Sequence, residues 1–293
     1  MDGEPRGSRR AAWSIAAIAL ALGAGSIVYR LAHWGEVGST AVLFVGIPTA
    51  IAIVLAFTSP ARSLTGTTIK TLAIGLSLSG IVLAEGFVCI VMAAPLFFLV
   101  GAAVAKGIDA VRGRRHRPQA LSLVVLPFVL LSFEGAISAT SLPREGSVTA
   151  ERVVDATAEQ VRDKLASPPA YYAEVPALFR LGFPTPVSGE GSGLDVGDRR
   201  RVIFTMGEFR LVVKSTAARS VTFARVADTT PVTDWVEIGD SHVTWDEISP
   251  GRTRIRWTMT YVRKLDPAWY FGPLERFGVG QAAGYLIDTV ATP

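Results

Sequence analysis

The sequence predicts two joined architectures. The first is a membrane α-helical bundle of about five spans, and the second is an α+β domain with a curved antiparallel sheet and one long C-terminal helix. Three observations predict this. Long apolar runs with almost no charge fill residues 1–137 and stop there. Beyond a linker at 138–147, apolar residues come in short runs of period two, the spacing of half-buried strands. The end of the 148–293 domain then returns to helical spacing.

Composition agrees. The 293 residues are 49% hydrophobic and 18% charged, with a mean hydropathy of +0.38. That is too apolar for a disordered chain or an entirely soluble protein. The single cysteine, Cys89, leaves no internal disulfide and no Cys-based zinc cluster. It reads as a small packing residue. The three histidines are far apart in sequence, so no metal site and no cofactor are expected. The sequence pI of 9.4 raises the question of nucleic acid. Most of the basic excess lies in short turns between apolar runs, however, and membrane orientation explains it without a nucleic-acid partner.

The runs are taken in order. Ala11–Tyr29 carries no charge and is long enough to cross a bilayer, which takes about 20 helical residues. Thr40–Phe57 is the second such run. Thr71–Ala105 has 35 residues and one charge, Glu85. As one helix it would extend about 52 Å, against a hydrocarbon core of about 30 Å. It therefore reads as two spans, 68–84 and 87–105, turning at Glu85-Gly86. The alternative is one span plus a re-entrant segment broken near Pro95. Gln119–Phe133 is the last run and ends at Glu134-Gly135.

Basic residues alternate between the connections. Arg6, Arg9 and Arg10 precede the first run, Arg62 and Lys70 lie in the 58–70 loop, and Lys106, Arg112, Arg114, Arg115 and Arg117 fill the 106–118 loop. The other connections are poor in Lys and Arg. This places the N-terminus and the basic loops in the cytoplasm, and the domain after residue 146 outside it. Arg9-Arg10 before an apolar run also fits a twin-arginine signal. Further runs follow at once, which favours a plain first anchor. Glu85 and Glu134 fall at the outer boundary of the membrane, each followed by Gly. Either they meet in a small polar site facing the outer domain, or both are wetted at the interface. No run carries mid-depth Lys or Arg or paired broken helices, so a transporter is not indicated.

The outer domain opens with a strand over Ser147–Asp155. Thr157 and Gln160 form a capping box that starts a helix running to about Leu165, and Pro168-Pro169 stop it. A second short helix is expected over Ala170–Leu178. Gly182–Gly197 is rich in Gly and Pro and reads as a long turn; it lacks the strand–GxxxxGK[ST]–helix context of a phosphate loop. Strands follow at Arg200–Met206, Glu208–Ser215, Ser220–Ala227, His242–Ile248 and Thr253–Arg263. Alternation is clearest in the last, where Ile255, Trp257, Met259 and Tyr261 share one face and Arg254, Arg256, Thr258 and Thr260 the other. Asp266-Pro267 reads as an N-cap with Pro at the first helical position. The long helix it starts runs to about Val290.

A curved sheet has one concave face, and one long helix can cover it. Where the two do not close, an apolar cavity remains. The candidate lining residues are Phe204, Met206, Phe209, Leu211, Trp245, Trp257, Met259 and Tyr261 from the strands, with Phe277 and Tyr285 from the helix.

The stretches ERVVDATAEQVRDKLA, PTPVSGEGSGLDVGDRRRVIF, SPGRTRIRWTMTYVRKLDP and YLIDTVA, with the order of the elements, resemble the helix-grip superfamily called SRPBCC. That superfamily includes START-like lipid-binding proteins and polyketide cyclases/dehydrases. The resemblance covers about half the chain, 147–292, and rests on pattern rather than on catalytic signatures. It implies a deep hydrophobic cavity for a lipid, a polyketide or a similar molecule, but no single reaction. The N-terminal membrane half departs from the simple soluble members and implies a tethered, membrane-proximal role.

No catalytic set is legible. His242 is the only histidine of the outer domain and alternates away from Val243 and Trp245. No GxSxG elbow exists, and Asp234, Glu237, Asp246 and Glu247 lack the context of a glycosidase pair. Arg199-Arg200-Arg201 reads as a solvated strand start, with anionic headgroups as the alternative partner. Arg252, Arg254 and Arg256 read as a solvent face. The sequence thus points first to a membrane-anchored binding protein holding a lipid or other hydrophobic small molecule. A cyclase, dehydratase or hydrolase on a hydrophobic substrate is the alternative, and a non-catalytic envelope-interaction or sensory ectodomain is the third.

Overall fold

The computed structural model of the chain describes residues 6–34, 45–58, 61, 63–82, 87–112, 134 and 142–291. The chain divides into two compact units at residues 130 and 131.

In the first unit the described helices are α1 (Arg6–Trp34), α2 (Ile47–Phe57), α3 (Leu64–Val82) and α4 (Phe87–Arg112). α1 packs on α2 and α3, α2 on α3, and α3 on α4. Small residues occupy the buried positions: Ala12, Ala16, Ala19, Ala52, Ala56 and Ala105, beside Val45 and Ile81. Gly101 of α4 lies so close to Leu72 of α3 that a methyl group there would overlap the leucine side chain. Large apolar side chains point outward instead, among them Trp13, Leu20, Val28, Val54, Phe57, Phe97 and Leu99.

Two of these helices, over Arg10–Val28 and Met92–Asp109, are long and apolar enough to cross a membrane. About five spans were expected over the whole first half, part of which lies outside the described residues. Within the Thr40–Phe57 run the described helix is Ile47–Phe57, of 11 residues, shorter by itself than a core of about 30 Å requires. α3 has 19 residues, but Thr65, Gly66, Thr67, Thr68 and Lys70 dilute its first turns. The long 71–105 run is split between α3 and α4, with Pro95 inside α4. Gln119–Phe133 and Glu85 lie outside the described residues.

The second unit contains β1 (Glu145–Val154), α5 (Ala158–Ala166), β2 (Pro186–Glu190), β3 (Arg199–Phe204), β4 (Glu208–Ala217), β5 (Ser220–Asp228), β6 (Val236–Ser249), β7 (Arg252–Arg263) and α6 (Ala268–Ala291). The seven strands form one sheet in the order β1-β7-β6-β5-β4-β3-β2. Every neighbouring pair is antiparallel. Register shifts in the β2–β3, β4–β5 and β6–β7 pairs bend the strands and curl the sheet. α6 packs on β1 and β7, and α5 packs on α6, β6 and β7. The core between them holds Val161, Leu165, Val213, Val221, Phe223, Val243, Trp245, Ile255, Val279, Ala283 and Ile287. Each large member contributes about 1.5–3 kcal/mol by leaving water. A curled antiparallel sheet gripping one long C-terminal helix is the helix-grip arrangement.

Local chemistry explains most of these elements. The capping box forms as read: Thr157 N–H donates to Gln160 Oε1 at 2.8 Å, and Gln160 N–H donates to Thr157 Oγ1 at 3.2 Å. Residues 170–178 do not form the expected helix, and only a 3₁₀ turn at Phe179–Leu181 follows them. Pro176 would sit inside that helix, lacking an N–H and clashing with the preceding turn. The stretch read as a long turn contains β2, an edge strand beginning at Pro186, where a residue without an N–H is tolerated. β6 starts at Val236, before the expected His242, and a register shift between Ile238 and Ser241 interrupts its alternation.

Candidate functional site

Strand register brings the predicted lining residues into rows on the concave face. Trp257 lies opposite Ala150 of β1 and Val243 of β6, and Met259 opposite Val148 and Ser241. Tyr261 lies opposite Gly146 and Ile238. A methyl group on Gly146 would stand 2.6 Å from the Tyr261 ring, so glycine is what lets that ring come so close to β1. Trp245, Trp257, Met259, Tyr261 and Tyr285 are all buried.

On the other half of the sheet the same face is more open. Phe209 pairs with Val202, and Leu211 with Arg200. Alternation along β3 puts Phe204 on the face of Arg200 and Val202. Phe204, Phe209 and Leu211 are only half-buried. Met206 and Phe277 stand apart from the other eight. Met206 sits in the β3–β4 turn and is 44% exposed, and Phe277 is 57% exposed on the side of α6 away from the core residues Val279, Ala283 and Ile287. A turn residue escapes strand alternation, and Phe277 sits off the helix stripe set by those three.

Polar groups are sparse on the inner side, and the sequence reading missed most of them. Arg200 is 7% exposed, which corrects its expected place on a solvated strand start. Its Nη1 donates to the carbonyl of Ser167 at 3.0 Å and its Nη2 to that of Gly193 at 2.7 Å. A further bond reaches Leu165. The guanidinium therefore serves the open carbonyls at the end of α5, and it lies 5.2 Å from the centre of the Phe223 ring. Burial pulls its pKa down, against the opposing pull of Tyr171 and Asp198. Its Nε has no partner. The signal was in the alternation: a β3 that turns Phe204 inward turns Arg200 inward as well.

Tyr171 comes from the stretch expected to be helical. Its ring stacks on that of Tyr285 of α6, with centroids 6.3 Å apart and planes within 13°. Burial pushes the Tyr171 hydroxyl well above the usual phenol range; Tyr285 adds to this and Arg200 opposes it. Burial raises Tyr285 also. Both phenols thus stay protonated, each with an O–H able to donate a hydrogen bond. Trp257 adds a third donor type, an indole Nε1 that is buried without a partner. This face is an apolar wall carrying a few N–H and O–H groups.

A second polar group lies where α6 begins. Glu134 is buried rather than wetted, which corrects the interfacial reading. Its Oε2 accepts from the Ala268 N–H at 2.9 Å, and its Oε1 lies 3.6 Å from Arg263 Nη2. Asp266, expected to cap α6, instead takes Arg263 Nη1 at 2.5 Å and Arg144 Nη2 at 2.5 Å. Glu275 of α6 is buried nearby. Its Oε1 accepts from the Leu265 N–H at 3.4 Å and its Oε2 has no partner. Burial raises its carboxyl to about 7 against smaller opposing pulls from the Leu265 backbone and Arg263. His242 is exposed, with Nδ1 2.9 Å from Thr222 Oγ1. Arg254 and Arg256 both pair with Glu151. Among the described residues no group of three or more His, Cys, Asp or Glu side chains is gathered for a metal ion.

No family model matches the chain, and no curated protein matches it. Among solved structures, the Zhui aromatase/cyclase from Streptomyces sp. R1128 is 18% identical, over 50% of this chain and 92% of that one, with a TM-score of 0.36. A START superfamily protein from Mycobacterium smegmatis is 15% identical, over 50% of this chain and 94% of that one, with a TM-score of 0.36. Norcoclaurine synthase from Thalictrum flavum, in complex with dopamine and hydroxybenzaldehyde, is 13% identical over 50% and 84%, with a TM-score of 0.34. Likenesses at this identity are of fold alone.

Proposed function

We propose that the protein is a membrane-anchored binding protein whose helix-grip domain holds a lipid or other hydrophobic small molecule outside the cytoplasm. The observation that carries this reading is the unequal covering of the concave face. α6 seals the β1–β7 half, while Phe204, Phe209 and Leu211 on β3 and β4 keep part of their apolar surface open. Water leaving such a wall favours an apolar guest by about 0.8 kcal/mol per CH₂ buried. The Tyr171, Tyr285 and Trp257 donors suit a guest oxygen, which fixes orientation.

The anchor reading rests on the inside-out packing of the first unit, with alanines buried and large apolar residues outward. Helices surrounded by lipid pack in this way. The outward placement of the domain rests on the alternation of basic loops. The fuller count of about five spans includes Gln119–Phe133, which precedes Glu134 directly.

The test is solvent extraction of the purified full chain followed by mass spectrometry, run beside the Leu211→Trp variant. The expected result is one hydrophobic compound near stoichiometric amount in the parent and a loss of at least about tenfold in the variant, whose indole fills the open wall. Equal and unspecific lipid in both samples would sink the reading.

The alternative, a cyclase, dehydratase or hydrolase on a hydrophobic substrate, has one observation in its favour. Glu275, raised to about 7, is a carboxyl able to give and take a proton near neutrality. Turnover of an extracted compound by the parent but not by Glu275→Gln would replace the binding reading with this one.

A further inference from the structure

Arg200 carries a full positive charge into the second unit, where it is buried. Alternation along β3 sets it on the concave face with Val202, and in register it lies opposite Leu211 of β4, which is only half-buried. Its hydrogen bonds go to backbone carbonyls alone, those of Ser167 at 3.0 Å, Gly193 at 2.7 Å and Leu165. Two of these bonds take both hydrogens of Nη2. The Nε–H is buried and makes no bond.

A guanidinium keeps its proton inside a protein, and a buried charge is costly unless an opposite charge balances it. Carbonyl dipoles balance it in part. The last turn of a helix carries the equivalent of about half a negative charge, and Arg200 takes the Leu165 and Ser167 carbonyls there. No side-chain carboxylate completes the balance among the described residues. Asp198 pulls on Arg200 electrostatically, but its Oδ2 accepts from the Asp195 N–H at 2.9 Å. Tyr171 and Arg200 also act on each other electrostatically, and Tyr171 stacks on Tyr285. Both phenols are protonated donors. Arg200 is thus a buried cation with a spare N–H, set among further donors and beside an apolar wall.

We propose that the guest is a hydrophobic acid, an apolar body ending in a carboxylate, and that this carboxylate is the counter-charge of Arg200. The inference rests on the binding reading and narrows it. A charge-assisted hydrogen bond is about twice as strong as a neutral one, so a neutral ester or alcohol of the same length gains only the apolar part. A carboxylate also fits better than a phosphate. One free guanidinium N–H and the phenol O–H groups suit two oxygens sharing one charge. A phosphate, with more acceptor oxygens and up to two charges, calls for the guanidinium fork, and the backbone carbonyls occupy Nη2 of that fork.

The experiment offers the full chain, held on resin at pH 8, an equal mixture of laurate, methyl laurate and dodecyl phosphate, and measures by mass spectrometry what each form of the protein retains. The parent is expected to retain laurate at least about tenfold over methyl laurate, equivalent to about 1.4 kcal/mol. In Arg200→Gln acid and ester are retained equally, with the ester at the parent's level. Arg200→Lys keeps the charge without the planar group, so the preference falls but persists. Equal retention of acid and ester by the parent overturns the acid guest and leaves the binding reading standing. Dodecyl phosphate retained above laurate overturns the carboxylate. A preference undiminished in Arg200→Gln overturns the part given to Arg200. Retention of none of the three by the parent sinks the binding reading, and the acid guest with it. Arg200 also holds the end of α5, so the fold of each variant is checked by circular dichroism. Should Arg200→Gln not fold, Arg200→Lys decides, and a preference equal to the parent's overturns the part given to Arg200.

Discussion

Glu275 is the residue whose charge changes near neutrality, because burial lifts its carboxyl to about 7 while one oxygen finds no partner. An unfolded glutamate titrates near 4.3. Below that pH both states are protonated and nothing is lost. Between there and about 7 the unfolded chain releases a proton that the folded domain retains, so stability falls as pH rises. Above about 7 both states are ionised and the loss is complete, on the order of 1–3 kcal/mol once solvent screening is allowed for. Glu275→Gln should remove this loss: its melting temperature should exceed that of the parent at pH 8 and match it at pH 4.5. A variant that is equally or less stable at pH 8 would show the carboxylate to be stabilised in place. None of this is written in the sequence around residue 275. Glu275 looks like any helix-surface charge there, and its surroundings are set by how α6 meets the end of β7. The partners of Glu134 and Tyr171 were illegible for the same reason, since they lie far away along the chain. Arg200 was legible and misread. Its neighbours Arg199 and Arg201 are exposed, and the composition of the triplet masked the alternation that buries the middle one.

At the scale of elements, what was legible was what short-range chemistry decides. The capping box, the alternation of β7 and the helical stripe of α6 each need only a few adjacent residues. β2 and the 170–178 segment were not legible in the same way. Gly189 of β2 lies against Pro169 so closely that a methyl group there would stand 2.7 Å from the Pro169 carbonyl oxygen. Glycine-rich sequence that looked like a turn is thus an edge strand accepting a close neighbour. α5 shows both kinds of control at once. Its start is set locally by Thr157 and Gln160. Its end is set from a distance by Arg200, which bonds the carbonyls of Leu165 and Ser167. Thr157→Ala removes the local half. The expected cost is about 1 kcal/mol, seen as roughly fivefold faster amide exchange over Val161–Leu165. Exchange unaltered by the substitution would mean that tertiary packing and Arg200 alone set the helix.

For the whole molecule, the two units solve opposite packing problems. The second puts Trp245, Ile255 and Ile287 inside and leaves charged pairs such as Lys214–Asp240 outside. The first buries alanine and turns Trp13, Val28 and Phe97 outward. In water the first arrangement would leave large apolar side chains exposed; in hydrocarbon those side chains meet lipid instead. The orientation is testable with one native cysteine to remove. On a Cys89→Ala background, Tyr172→Cys places a thiol at an exposed position of the second unit, and Arg114→Cys places one in the basic stretch 106–118. If the chain is an integral membrane protein with its helix-grip domain outside the cytoplasm, alkaline carbonate leaves both proteins in the membrane fraction. A membrane-impermeant maleimide then labels position 172 in intact cells and position 114 only after permeabilisation. Release by carbonate would remove the anchor. The reversed labelling pattern would put the domain in the cytoplasm, so the guest would have to come from the inner leaflet or the cytosol.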